Sequence, residues 1–340
     1  MLTLNQIKEI REHLESSQNP LFFFDNDLDG LCSFLLLRRF LKRGKGVAIK
    51  SFPDLNETYV RKINELNPDK IFILDKPLVS EGFIDYCKQN GLEVVWIDHH
   101  EPQNPKEVSY YNPMNKKKPS NEPVSYLCWQ VVKRDEWIAL LGCLYDWYLP
   151  DFVEKFSDKY PGLLNKGVSV EKARFDSDMG KLMMILIFAM KDSTTNVVRM
   201  IRLLNEAETP YEILSGEKKY EYIMRRYKQL NRTFSKLLNK ALGEKHGKIT
   251  FFQYSGEMSV SRELCNELFY RNPEKIVMVA FVKGEKVNIS MTSGKKDLRL
   301  IVAAALKEVE GTGGGHAAAC GASIQLNDLK KFKEIIESYA

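Results

Sequence analysis

Apolar positions in the first 150 residues fall in short runs set between longer segments of helical period. Residues 21–24 (LFFF), 47–52, 71–74 and 94–97 read as strands, and 31–43, 57–66 and 83–89 read as helices, the last closed by Gly91. Two more helical stretches follow, 124–133 and 136–147. Strands alternating with helices of this length imply right-handed crossovers and a mostly parallel sheet covered on both faces. From Pro150 to about Gly243 strand signals nearly vanish. This stretch is helical by period and broken at Pro161-Gly162, Gly167, Thr209-Pro210 and Ser215-Gly216. Its last helix carries an apolar stripe, Ile223, Tyr227, Leu230, Phe234, Leu237 and Ala241, beside a basic line, Arg225, Lys228, Arg232, Lys236 and Lys240. Alternation returns after Gly247. Residues 249–254, 276–282 and 285–291 read as strands, and 262–270, 298–309 and 328–338 as helices, with GTGGGHAAACG at 311–321 between the last two. The expected organisation is α/β: a parallel-sheet domain (1–150), a helical connector (151–243) and a second, smaller α/β domain (244–340).

Composition changes this picture little. A chain of 340 residues, 44% hydrophobic and 28% charged, has room for two cores and needs no disulfide or metal staple to fold. The 50 basic and 45 acidic residues leave +5, too small an excess to indicate a nucleic-acid partner by itself. The excess is localised: residues 151–243 hold 17 Lys and Arg against 12 Asp and Glu. The basic line is either a solvated face or a ridge that tracks phosphates. The N-terminus lacks the basic and apolar regions of a secretory signal. The most apolar run, Leu182 to Met190, is about half the roughly 20 residues that cross a bilayer, so it reads as a buried helix and no membrane partner is expected. The cysteines (Cys32, Cys87, Cys128, Cys143, Cys265, Cys320) form no CxxC pair and read as buried thiols in a reducing cytoplasm.

The chemistry is in the acids. Asp25, Asp75 and Asp98 each end an apolar strand, and parallel strands share one carboxyl edge where ligands bind. Asp27 and Asp29 follow Asp25 at alternate positions in DNDLDG, with Gly30 expected to permit a tight turn. His99 and His100 follow Asp98, and Asp146 sits in an apolar helical stretch, an expensive place for a lone charge. Several carboxylates in one crevice repel one another unless cations neutralise them, and two divalent ions sharing one acid would do so. Carboxylates with imidazole suit Mn²⁺, with Mg²⁺ the alternative. Metal-assisted phosphoester hydrolysis is the reaction this set supports. A calcium loop of the EF-hand type is excluded because Leu36 stands where its Glu belongs.

DNDLDG, the strand-terminal Asp75, Asp98-His99-His100 and Asp146 resemble the four motifs of the DHH phosphoesterase superfamily. GGGHAAACG at 313–321 resembles the glycine-rich signature of the C-terminal domain in its RecJ-like and oligoribonuclease (nanoRNase) branch. The resemblance implies an active site in the cleft between the two domains. It makes Asp25, Asp27, Asp75, His99 and Asp146 ligands of two Mn²⁺, with Asp75 bridging. His100 would touch the phosphate, and Asp98 would orient its neighbours. Gly313, Gly314 and Gly315 would bring backbone N–H groups to a phosphate, with His316 as donor and a following helix N-terminus adding its dipole. Arg225, Lys228 and Arg232 would extend the substrate track.

Three positions depart from the family. Phe24 and its neighbours replace a histidine that many relatives carry before the first Asp pair. Thr292 stands where they have a substrate-gripping arginine, with Lys295, Lys296 and Arg299 as candidate substitutes. Ala317 replaces a basic residue after His316. The implied activity is exonucleolytic cleavage of short or single-stranded RNA or DNA. The alternatives are a phosphodiesterase for cyclic dinucleotides or nucleotide bisphosphates, and a RecJ-like scaffold subunit of a replication or repair complex. A homodimer or a replication-complex partner is compatible with each.

Overall fold

The structure is a computed structural model and describes residues 1–49, 54–103 and 105–340. The chain divides into two compact units, Met1–Tyr227 and Lys228–Ala340, so the stretch expected as a connector is shared between them.

The first unit begins with α1 (Leu4–Ser16), then β1 (Pro20–Asp25), α2 (Leu28–Leu41), β2 (Lys45–Ile49), α3 (Val60–Leu66), β3 (Lys70–Leu74), α4 (Glu81–Gln89) and β4 (Glu93–Ile97). A short strand, β5 (Ser109–Tyr111), completes an all-parallel sheet of order β2-β1-β3-β4-β5. The expected second strand, 47–52, begins two residues earlier than its apolar run, and its last three residues lie outside the described ones. Alternate residues of the strands serve opposite faces. Leu21, Phe23, Ile71, Ile73, Val94 and Trp96 pack in one core with Ile63 and Phe83 from α3 and α4. On the other face Phe24 stacks on Phe34 of α2, ring centroids 4.9 Å apart. Helix α2 is buried along most of its length, which is why it shows no amphipathic period.

Seven helices finish this unit or leave it: α5 (Val124–Val132), α6 (Glu136–Tyr145), α7 (Val153–Lys159), α8 (Val170–Phe175), α9 (Asp178–Met190), α10 (Thr194–Glu206) and α11 (Pro210–Leu214). The expected apolar helix is α9, buried along most of its length. Among the described residues no helix is long and apolar enough to cross a membrane. Helix α12 (Glu221–Gly243) follows. Ile223, Leu230, Phe234 and Ala241 are buried as the stripe predicts, but Leu238 replaces Leu237, both positions lying one turn from Phe234.

The second unit holds β6 (Thr250–Ser255), α13 (Ser261–Arg271), β7 (Val277–Lys283), β8 (Lys286–Thr292), α14 (Leu298–Ala305), β9 (Gly311–Gly315), β10 (Ala319–Gln325) and α15 (Leu329–Ser338). Its mixed sheet runs β6-β7-β8-β10-β9, with only β6 and β7 parallel. Met278, Ala280, Val287 and Ile289 of the sheet meet Leu298, Val302, Phe332 and Ile336 of α14 and α15.

Candidate metal centre

The register of the first sheet aligns its acids. Phe24 pairs with Leu74 and Leu74 with Ile97, so the next residues, Asp25, Asp75 and Asp98, form one row across β1, β3 and β4. The chain turns outward to β2 after β1 and crosses back to β3, which makes this row a topological switch point where crevices open. Asp75 has φ +59°, a left-handed conformation that a non-glycine residue adopts only at a cost. Its N–H donates to the Ile97 carbonyl at 3.0 Å.

Around Asp75 the ligand atoms converge. His99 Nε2 lies 3.4 Å from Asp75 Oδ1 and 3.5 Å from Asp146 Oδ2, and His100 Nδ1 lies 3.8 Å from Asp75 Oδ1. Asp75, His99 and His100 form one group of ligand atoms within 4.8 Å, and Asp29, His99 and Asp146 a second. Asp75 Oδ1 is buried and accepts no hydrogen bond among the described residues, a state that an ion relieves. Separations of 3.4–3.8 Å suit ligands about 2.0–2.2 Å from one ion, so these residues fit a divalent cation.

The surroundings set the charge states. Burial, with Asp27, Asp29, Asp146 and Asp25 adding repulsion, pushes the Asp75 carboxyl well above the usual range. Burial first and Asp146 second do the same to Asp29. Burial lowers His99, which keeps its imidazole neutral and able to ligate. Burial opposes protonation of His100 too, but its hydrogen bond to Asp98 prevails and its pKa is raised. That bond runs from Nδ1 to Asp98 Oδ1 at 2.8 Å, and the His100 N–H donates to Asp98 Oδ2 at 2.9 Å. Asn112 Nδ2 donates to the same carboxylate at 3.3 Å and to the His100 carbonyl at 3.0 Å.

Several residues act differently from the sequence expectation. Asp146 is not inside a helix but is the C-cap of α6, half-buried. Arg174 of α8 donates to the Leu144 and Tyr145 carbonyls and so holds that helix end in place. Asp29 does not fix its own turn. It accepts the Val124 N–H at 2.7 Å and the Ser125 N–H at 3.0 Å, capping α5, whose own N-cap is Pro123. Asp27 caps α2, accepting the Gly30 N–H at 3.0 Å. Gly30 is helical, and its role is close approach: a Cβ there would lie 2.4 Å from the Asp25 carbonyl oxygen. Lys76, which no motif singled out, is fully buried with Nζ 3.1 Å from Asp25 Oδ1.

In the second unit no helix follows the glycines. Residues 311–325 form the β9–β10 hairpin, with His316 at its turn, because pairing of β10 with β8 outweighs the helical preference of Ala317 to Ala319. Gly313, Gly314, Gly315 and His316 are exposed on this edge strand and turn. Gly315 has φ +142°, and a Cβ there would lie 2.5 Å from the Ala319 carbonyl oxygen. Thr292 is buried against Cys265 and Asn266. Lys295 pairs with Glu274, and Arg299 folds back on Asp297 at 2.7 Å, which leaves Lys296 without an ion pair among the described residues. Arg225, Lys228 and Arg232 are exposed along α12. All six cysteines are buried and unpaired.

Fold and site thus define an α/β protein with a carboxylate–imidazole cation site at a sheet switch point. Its sequence matches the DHH family, N-terminal domain, over residues 21–145 and the DHHA1 domain over 244–340, together about two thirds of the chain. The chain belongs to the DHH phosphoesterase superfamily and has the RecJ-like two-domain fold. RecJ from Thermus thermophilus, in complex with Mn²⁺, is similar, with TM-score 0.69 and 16% identity over 99% of this chain and 55% of that one. This chain therefore spans about half the length of that RecJ. An exonuclease RecJ bound to manganese gives TM-score 0.65 and 16% identity over 99% and 95% of the two chains. The pGpG-specific phosphodiesterase PggH from Vibrio cholerae gives TM-score 0.53 and 14% identity over 95% and 98%. No curated protein matches the sequence.

Proposed function

We propose that this protein is a divalent-metal-dependent phosphodiesterase that removes nucleotides from one end of short or single-stranded RNA or DNA. The observation that carries the reading is the buried, unbonded Asp75 Oδ1 facing His99 and His100 at the row of strand-end acids. Asp75, His99 and Asp146 would hold the ion, with Asp25 and Asp27 completing the anionic rim. Mn²⁺ suits the mixed oxygen and nitrogen donors, with Mg²⁺ as the alternative. Such an ion acidifies a water molecule and offsets charge on the phosphoryl oxygens.

The chain's own groups do the rest. Asp98, steadied by Asn112, orients His100, whose raised pKa favours the cationic ring that contacts a phosphate. Gly313 to Gly315 have no side chains between the edge-strand backbone and a sugar or phosphate, and His316 stands at the turn beyond. Arg225, Lys228 and Arg232 provide spaced cations for a longer strand.

A second reading has its own support. With Thr292 buried and Lys295 and Arg299 engaged, the second unit offers few cations to a long polyanion, which favours a dinucleotide substrate. Single-turnover hydrolysis of pApA and of a 12-mer with Mn²⁺ separates the two. The exonuclease reading expects the 12-mer to shorten at least as fast as pApA is cut. Cleavage of pApA alone assigns the dinucleotide instead.

A further inference from the structure

The acids of the rim have a cation among them already. Lys76 follows Asp75 directly, is 0% exposed, and sets its Nζ 3.1 Å from Asp25 Oδ1. Its backbone is pinned as well, the Lys76 carbonyl accepting the Trp96 indole N–H at 3.0 Å. A wholly buried ammonium is tolerated where an acid beside it compensates for lost water, and Asp25 is that acid. Trp96 is itself 1% exposed, so the lysine is built into the core beneath the site and is not a surface side chain folded inward.

The ligand geometry points the same way. Both groups of candidate ligands contain His99, and neither contains Asp25. The two close approaches to His99, 3.4 Å from Asp75 and 3.5 Å from Asp146, are to the same atom, Nε2. A carboxylate can bridge two ions, but an imidazole nitrogen has one lone pair and holds one. The converging atoms therefore describe one ion position, and the acid outside it is matched by the ammonium. A fixed positive charge beside Asp25 also repels a second dication.

We propose that the centre holds a single divalent ion at His99 Nε2, between Asp75 and Asp146, and that the Lys76 ammonium replaces the second cation beside Asp25. The inference rests on the reading of this site as a metal-dependent phosphodiesterase, and it revises the two ions expected from the motifs to one.

The test uses the full chain titrated with Mn²⁺ alone. Calorimetry counts the ions, and electron paramagnetic resonance distinguishes an isolated Mn²⁺ from a coupled pair. The wild type is expected to bind one ion per chain with the spectrum of an isolated ion. Lys76→Met, a neutral side chain of similar length, is expected to admit a second and produce a coupled spectrum. Asp25→Asn is expected to keep the single ion, and it decides the matter if the Lys76 variant does not fold. Two coupled ions in the wild type, one ion in folded Lys76→Met, or loss of the ion in Asp25→Asn would each overturn the inference. The two readings fail separately. One bound ion without hydrolysis of any oligonucleotide removes the enzymatic reading and leaves the ion count standing. Hydrolysis with two bound ions does the reverse.

Discussion

The carboxylate rim of the first unit and the glycine hairpin of the second prepare for a polar ligand in opposite ways. In the rim, Asp75, Asp98 and His99 are buried, and each is oriented by a partner brought from another element. Like charges are forced together there, and the resulting cost is relieved by Lys76 and by whatever cation the site takes. In the hairpin, Gly311–Gly315 is exposed throughout and offers backbone alone, while nearby Lys295 and Arg299 are turned to their own acids. The contrast assigns chemistry to the rim and at most positioning to the hairpin. Residues of the rim should therefore control rate and metal affinity together, whereas exposed residues should change binding without changing the chemistry.

The largest expected effect is at Asp75. Asparagine tolerates the left-handed backbone there and alanine does not, so Asp75→Asn removes the ligand with least strain. Hydrolysis with Mn²⁺ should fall by more than the roughly 100-fold that losing an outer partner costs. The metal-free protein should at the same time become more stable. Burial raises the folded Asp75 pKa above its ordinary 3.8, so the folded chain keeps a proton that the unfolded chain loses. Stability in EDTA should therefore fall as pH rises above that value, and Asn should flatten the fall. Thermal melts from pH 4 to 8 measure both slopes, and equal slopes would remove Asp75 from the repelling cluster.

Gly30→Ala comes next. Its Cβ would lie 2.4 Å from backbone of Asp25, so the helix or the strand must shift, at about 1–3 kcal/mol. Urea unfolding measures this, and an unchanged midpoint would show that α2 does not press on β1. Arg174→Met leaves two carbonyls at the end of α6 without their donor and should loosen Asp146. Mn²⁺ affinity is expected to drop about 10–100-fold by calorimetry, as for an outer partner. The smallest effect is on α12. Reversing Arg225, Lys228 and Arg232 should weaken binding of a 12-mer and reduce its salt dependence by about 0.7 for each phosphate that is no longer neutralised. Anisotropy titrations across salt measure that slope, and an unchanged one returns this face to plain solvation.

What could be read from the chain differs between the same two regions. The rows FFF-Asp25, IFIL-Asp75 and VVWI-Asp98 were legible because an apolar strand that ends on an acid carries its own marker. Strand β5 was not, since three residues, Ser109 to Tyr111, have no period to read. Asp29 and Lys76 escaped for a different reason. Their partners, Val124 and Asp25, stand 95 and 51 residues away, and nothing local distinguishes them from solvated charges. Asp146 was found as an acid in apolar company, but its place at the helix end depends on Arg174. In the glycine stretch local preference misled, because the alanines after His316 favour a helix until β8 supplies a partner. The basic line on α12 is exposed as its spacing implies, a property that a solvated face shares.

The central claim is that the rim hydrolyses phosphodiesters with a divalent ion. Its most direct test is digestion of RNA and DNA oligomers, labelled at the 5′ or the 3′ end, with Mn²⁺, with EDTA, and with Asp75→Asn. The account expects stepwise shortening from one end with Mn²⁺, and none in EDTA or in the variant. No cleavage by the wild type with Mn²⁺, or equal cleavage by Asp75→Asn, would contradict it.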